Sequence, residues 1–269
     1  MPPKKIIIFV FILFASFSQF VSAKTNNNKS ELTVEADESL EWFEKEKYYL
    51  AKGNVILKKD GVTLKANTVK ADYVLQNGEN ILKKIIAKEK VILTKENTIA
   101  TGQYMTYDLE DKIARISGPF QTFSSPSGYV ESKKYIIFND LKNKAEADGD
   151  VKIILSNKTI IHADYVKANF KPKNKSLKNA VAKGNVIVEN KAKSRKSKAD
   201  VGVYNSDSEL IQLSGNVVIF NQKSKLYGSK GVTNLKTGIS NIIGDLKNKK
   251  RVKGIFAPIK KQNKGDETD

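Results

Sequence analysis

The chain contains no cysteine, and His162 is its only histidine among 269 residues. Without a thiol there is no disulfide framework, no thiolate nucleophile and no cysteine metal site. With one histidine there is no two-histidine metal site and no histidine-paired relay. His162 falls where Lys65 falls in another copy of the repeat described below, and it reads as a strand-surface residue. Arginine is scarce as well: Arg115, Arg195 and Arg251 are three of 47 basic residues. Bidentate reading of phosphate or guanine favours arginine, and no nucleic-acid module is visible. Acidic residues fall at turns and repeat positions, with no two set apart as an acid–base pair. Serine-nucleophile and phosphate-loop motifs are missing. These absences point away from an enzyme, a cofactor, a metal and a nucleic-acid partner.

Long apolar runs are confined to the start. Lys4 and Lys5 precede an unbroken run from Ile6 to Phe14, and Val21-Ser22-Ala23 supplies the small-x-small pattern that a signal peptidase reads. The run is short for a membrane span. Residues 1–23 are therefore expected to be a cleaved signal peptide, followed by a linker at 24–30, which implies a periplasmic protein. The formal charge is +18, and losing Lys4 and Lys5 leaves +16. The lysines are spread evenly over turns and alternate positions, as on a solvated surface, rather than gathered into a polyanion site. The last residues, 258–269, are polar and poor in apolar side chains, and are expected to be a disordered tail.

What the chain does have is a repeat. The phrase small, any, Gly, polar, Val occurs as Ala51-Lys52-Gly53-Asn54-Val55, Ala147-Asp148-Gly149-Asp150-Val151 and Ala182-Lys183-Gly184-Asn185-Val186, and as Leu213-Ser214-Gly215-Asn216-Val217. Weaker copies are Ala87-Lys88-Glu89-Lys90-Val91, Ile116-Ser117-Gly118-Pro119-Phe120 and Ile242-Ile243-Gly244-Asp245-Leu246. A second phrase lies between them: Ala36-Asp37, Ala66-Asn67, Gly102-Gln103, Ser132-Lys133, Ala163-Asp164, Ala199-Asp200 and Gly228-Ser229. Both keep a period of 29 to 36 residues, so the chain is read as about seven repeats of about 31 residues.

Each repeat reads as two antiparallel strands. Apolar residues alternate after each glycine, as in Val55 and Leu57, Val91 and Leu93, Val151 and Ile153, Val186 and Val188, Val217 and Ile219. Turn residues recur between them, among them Asp60-Gly61, Asn77-Gly78, Pro126-Ser127-Gly128, Ser156-Asn157, Pro172-Lys173-Asn174, Asn205-Ser206 and Thr237-Gly238. The strands would be long, and their alternation slips: Leu64 and Ala66 share one parity while Val69, Ala71 and Tyr73 share the other. Ile161 and Ala163 precede the same slip. One extra residue near Asn67 or Asp164 keeps the apolar set on one face only if the strand bulges there, which makes the Gly53-type and Ala66-type positions paired bend sites on neighbouring strands. The expected fold is all-β: a bent antiparallel meander forming a two-sheet, jellyroll-like trough. Its crease would be lined by Gly53, Ala66, Gly102, Gly149, Ala163, Gly184, Ala199, Gly215 and Gly228, with 14 strands stacking to about 65 Å at about 4.8 Å each. Val55, Leu57, Leu64, Val91, Leu93, Val151, Ile153, Ile161, Val186, Val188, Val217 and Ile219 would line its apolar interior. The aromatic cluster Trp42, Phe43, Tyr48 and Tyr49 has two readings: packing that closes the end of the stack, or an edge that receives another protein's strand.

These phrases, with the followers Tyr204-Asn205 and Ala71-Asp72, resemble the OstA-like repeats of the lipopolysaccharide-transport (LptA) family. The resemblance covers residues 31–257 and includes the closing stretch Arg251-Val252-Lys253-Gly254-Ile255-Phe256-Ala257-Pro258. It implies a trough that takes the acyl chains of lipopolysaccharide. It also implies strand-edge pairing with inner-membrane and outer-membrane transport proteins, and head-to-tail self-association. Other readings stay open at this point: an inner-membrane-anchored partner that keeps residues 1–23, a soluble domain of the outer-membrane translocon, a structural or adhesin-like repeat protein with no lipid ligand, and a polyanion-binding protein.

Overall fold

The structure, a computed structural model, describes residues 32–256 except 157, 174, 191–194, 222–223, 235–236, 238–239, 246–247 and 249–250. The expected leader, linker and tail, and the turn residues Asn157, Asn174 and Gly238, lie outside the described residues. The described chain is all-β, with 18 strands in one hydrogen-bonded, antiparallel system. They are β1 (Thr33–Glu35), β2 (Ser39–Phe43), β3 (Tyr48–Lys59), β4 (Val62–Gln76), β5 (Glu79–Lys95), β6 (Thr98–Asp108), β7 (Ile113–Ser117), β8 (Gln121–Ser125) and β9 (Gly128–Ser132). Then come β10 (Tyr135–Asn139), β11 (Lys144–Leu155), β12 (Thr159–Phe170), β13 (Leu177–Asn190), β14 (Arg195–Asn205), β15 (Leu210–Asn221), β16 (Ser224–Asn234), β17 (Ser240–Ile243) and β18 (Lys253–Ile255).

The short strands are halves of broken long ones. β2 pairs with residues 48–52 of β3 while β1 pairs with residues 56–58 of the same strand. β7 and β8 divide β6 between them, and β9 and β10 divide β11. β17 and β18 both pair with β16. Joined this way, the 18 segments make 14 successive tiers, which is the seven two-strand repeats of the sequence.

Every tier bends at the same level. Between β3 and β4 the register shifts where Gly53 and Asn54 face the single residue Asn67. The same two-against-one bulge places Glu89-Lys90 against Gln103, Gly149-Asp150 against Asp164, Gly184-Asn185 against Asp200, and Gly215-Asn216 against Ser229. Both residues of each pair have positive φ, for example Gly184 at 73° and Asn185 at 47°. Glycine and asparagine are the residues that adopt this region at least strain, which is why the phrase reads Gly-Asn. In the second copy Glu89 and Lys90 hold φ of 63° and 55° without either advantage. The bend survives there because neighbouring tiers impose it.

The bends divide the stack into two sheets. A first sheet holds the segments before the bulge of β3 and those in register with them; a second holds Val55–Lys59 and its partners. The extra residue lies in the glycine strand and not near Asn67 as expected: β3 keeps its parity through Ala51, Val55 and Leu57, while β4 slips by one residue, so that Leu64, Ala66, Val69 and Tyr73 all face inward and are buried. One expected correspondence fails. The phrase Ile116-Ser117-Gly118-Pro119-Phe120 aligns Phe120 with the inward valines, but Phe120 is half exposed and Gln121 is buried in its place. β7 and β8 are separated by three residues, Gly118 to Phe120, and β9 and β10 by two, Lys133 and Lys134. One extra residue on each side turns Phe120 outward.

Candidate functional site

Four inward rows run the length of the stack, two on each sheet. Nearest the crease on the second sheet lie Val55 opposite Ala66, Val91 opposite Gly102, Gln121 opposite Ser132, Val151 opposite Ala163, Val186 opposite Ala199 and Val217 opposite Gly228. Apart from its two glycines, Gly102 and Gly228, this floor is buried along its whole length. Beyond it on the same sheet come Leu57, Leu64, Leu93, Phe123, Val130, Ile153, Ile161, Val188 and Ile219. The crease residues Gly53, Gly149, Gly184 and Gly215 sit in the bulges themselves, where an added Cβ would collide with the neighbouring tier, for instance with the Asp164 carboxylate at Gly184.

The upper row changes along the stack. Leu57, Leu64, Leu93, Phe123 and Val130 are buried, whereas Ile153, Ile161, Val188 and Ile219 are only half-buried. On the first sheet Ala87, Met105, Ile116 and Ile136 are buried, whereas Ala180, Ala182, Tyr204 and Ile211 are half-buried. From β3 to β13 the two sheets close on one continuous cluster of their own side chains, which ends at Val186. A separate cluster of Ala199, Leu213 and Val217, flanked by Ile211, Ile219 and Ile242, occupies the stretch from β14 onward. Small residues explain the change. Ala182, Gly202 and Gly231 stand at the inward positions there, where earlier tiers carry Met105 and Ile116. The trough is thus filled at its beginning and open-rimmed over a buried apolar floor toward its end.

A third periodic marker went unread in the sequence. Tyr73, Tyr107, Phe138, Phe170 and Tyr204 recur at intervals of 31 to 34 residues and all face inward at the turn end of the first sheet. The first four are buried and Tyr204 is half-buried, so this row follows the same gradient. Burial pushes the Tyr107 hydroxyl well above the ordinary phenol range. Just beyond these rings Asp108, Asn139 and Asn205 accept hydrogen bonds from backbone amides two or three residues on, closing the turns.

The expected edge residues separate by face. Trp42 is inward on β2 and 60% exposed, because no tier lies beyond it among the described residues. Its Nε1 donates to Tyr73 Oη at 2.7 Å, its ring stacks on Tyr49, and Asn80 donates to Tyr49 Oη. Phe43 and Tyr48 stack with each other on the outer face, with Lys70 over the Tyr48 ring. At the far end Ile243, Ile255 and Phe256 are exposed on and beside β17 and β18.

The outer faces carry the charge. Lys52–Glu41, Lys152–Glu131, Lys167–Glu146 and Lys196–Glu189 are ion pairs between adjacent strands. His162 lies outward between Lys152 and Ile187 and lines a shallow depression shared with Asp150, Asp164, Glu189 and Lys196. No group of His, Cys, Asp or Glu suited to a metal ion is found among the described residues.

A solved structure titled as LptH, the LptA-homologous periplasmic component of the lipopolysaccharide transport device of Pseudomonas aeruginosa, shares 12% identity with this chain. The alignment covers 85% of this chain and 96% of that one, with a TM-score of 0.22. A comparison with curated proteins found no match. The family described as "LptA/(LptD N-terminal domain) LPS transport protein" matches twice, over residues 33–137 and 129–239, so that the two matches overlap on β9 and β10. Together they take in well over half of the sequence, and the chain belongs to this family of lipopolysaccharide transport proteins.

Proposed function

We propose that the protein is a periplasmic lipopolysaccharide carrier, holding acyl chains against the inner face of the trough and passing them between membranes without catalysing a reaction. The observation that supports this most is the inward floor, apolar except at Gln121 and Ser132 and buried except at Gly102 and Gly228, while its rim opens around Val188, Tyr204, Ile211 and Ile219. Burying an alkyl chain gains about 0.8 kcal/mol per CH₂, so a long dry path suits several chains better than a pocket does. Lysines on the outer faces would meet anionic headgroup phosphates as point charges. At the two ends β1 and β2 pair only with β3, and β17 and β18 only with β16, among the described residues. Their free edges suit strand pairing with transport partners on the two membranes, or with another copy of the chain.

One observation favours a second reading. From β3 to β13 the interior holds one continuous cluster of the chain's own side chains, as a structural repeat protein with no lipid ligand would require. The test is co-elution of the purified protein with lipopolysaccharide at low and high salt, beside Val188→Asp and Ile219→Asp. Salt-resistant binding that both variants lose supports the carrier. Absence of binding, or binding that salt abolishes and the variants keep, supports the structural or the polyanion reading.

A further inference from the structure

One row on the outer face of the first sheet alternates between tyrosine and a polar residue. Across the tiers, Tyr104 on β6 faces Ser117 on β7, and Ser117 faces Tyr135 on β10. Tyr135 faces Asp148 on β11, which in turn faces Tyr165 on β12. Three tyrosines therefore stand in line at every second tier, about 9.6 Å apart at about 4.8 Å per strand. All three are half-buried, while the next residue along each strand, Met105, Ile136 or Val166, turns into the core.

Each ring has a neighbour that holds it. Arg115 lies over the Tyr135 ring at 4.1 Å, and Tyr165 donates its hydroxyl to the Glu146 carboxylate. Tyr104 lines a shallow depression with Thr68, Lys70 and Lys88. Between the rings, the Ser117 hydroxyl and the Asp148 carboxylate offer hydrogen bonds on the same face. Lysines end the row on both sides, Lys88 opposite Tyr104 and Lys183 opposite Tyr165. Both are exposed and neither is in an ion pair among the described residues.

This alternation has a chemical counterpart. In a β-1,4-linked chain of pyranoses each ring is turned over relative to the last, so the same ring face recurs at every second sugar. The repeat of such a chain is close in length to two strand spacings. Its apolar ring face seats on an aromatic side chain, and its polar edges take hydrogen bonds. A tyrosine under every second sugar, with Ser117 and Asp148 between, is the pattern that it needs. Cations at both ends of the row complement acid groups on the chain. A branched or α-linked saccharide does not keep this register.

We propose that the row from Lys88 to Lys183 is a docking platform for a linear, β-1,4-linked polysaccharide bearing carboxylates, which lies along the stack outside the trough. Binding there tethers the protein without using its apolar interior, so the inference goes beyond the lipid-carrier reading and does not depend on it.

The experiment sediments the purified full chain with three insoluble glycans. Peptidoglycan sacculi are β-1,4-linked and carry carboxylates, chitin has the linkage without the acid, and cross-linked dextran is α-linked. The expected order is tightest binding to sacculi, weaker binding to chitin and none to dextran. Tyr104→Thr and Tyr165→Thr each weaken binding to sacculi and chitin about tenfold, as loss of one aromatic anchor does. Tyr104→Leu and Tyr165→Leu replace them where threonine does not fold. Tyr135→Phe, which keeps the ring, binds as the wild type does, and so does Tyr227→Thr on the outer face of the second sheet. Lys88→Gln with Lys183→Gln removes the preference for sacculi over chitin. Val188→Asp, inside the trough, leaves sedimentation unchanged, so failure of the carrier reading and failure of the platform are separate results. Binding to neither sacculi nor chitin would overturn the platform, as would equal binding to dextran or an equal loss in Tyr227→Thr. Binding to sacculi that the lysine variant loses and the tyrosine variants keep would reduce the contact to charge alone and would overturn it too.

Discussion

Asn185 donates its side-chain amide to both carboxylate oxygens of Asp164 across the crease, at 3.2 and 3.1 Å. Asn216 makes the same bond to Asp200 at 2.9 Å, and Asn54 to Asp37 at 2.7 Å. In the second repeat the types are exchanged, with Asn67 donating to Glu89. Lys133 and Asp150 replace the pair by an ion pair at 2.6 Å. The two phrases of the sequence keep one period because their residues are partners across neighbouring tiers.

The glycine beside each asparagine carries a steric demand as well as a conformational one. At Gly184 an added Cβ would lie 2.1 Å from Asp164 Oδ2, while at Gly61, with nearly the same φ, it would meet nothing within 4 Å. Gly61→Ala is expected to lose only the conformational part, about 1 kcal/mol, and Gly184→Ala a further 1–3 kcal/mol or so. Adding Asp164→Ala to Gly184→Ala should recover part of that excess, as measured by urea denaturation of the four proteins in a double-mutant cycle.

The strained copy of the bulge offers the converse. Glu89→Gly removes a side chain held at φ 63°, and Lys90→Asn replaces one held at 55°. The double variant is expected to raise stability by about 1 kcal/mol, visible as a higher melting temperature with unchanged circular dichroism. A lower melting temperature would mean that the Asn67 bond to Glu89 outweighs the backbone strain.

The gradient of closure predicts unequal costs for the aromatic row. Phe138 is fully buried and packs beside Phe170, whereas Tyr204 is half-buried. Phe138→Ala should lose about 3–5 kcal/mol, and Tyr204→Ala less than about half as much. Comparable losses in denaturant titrations would show that the far end of the trough is as tightly closed as its beginning.

Acid should weaken the outer ladder in a defined direction. Hydrogen bonds from Lys167, at 2.7 Å, and from Tyr165 hold the Glu146 carboxyl below its ordinary range. A depressed folded value gives stability that is present above the unfolded glutamate pKa of about 4.3 and is lost as pH falls through the folded one. Glu146→Gln is expected to flatten the pH dependence of stability below about pH 5. The change should be small, because the pair is partly solvated.

Much of this architecture was legible because one local device recurs. Two successive positive-φ residues favour Gly-Asn, and the bulge they form slips the facing strand by one residue, so the slip from Ala66 to Val69 marked a bend before any strand was paired. The junction tier was not legible, because an apolar Phe120 imitated the inward valine, and only the extra residue in each strand turns Gln121 inward instead. The row Tyr73, Tyr107, Phe138 and Phe170 carried a readable period, but mixing tyrosine with phenylalanine hid it. The difference between a filled and an open-rimmed trough depends on how small residues on one sheet, such as Ala182 and Gly202, meet those on the other. No single strand records that distance.

The most direct test places a photo-crosslinking residue at Ile211 and Ile219, inward in the open-rimmed section, and at Lys198 on the outer face. Each protein is irradiated with lipopolysaccharide. The account predicts covalent lipopolysaccharide adducts from Ile211 and Ile219 and none above background from Lys198. Adducts of equal yield at Lys198, or none at either inward position, would contradict a trough that carries lipid.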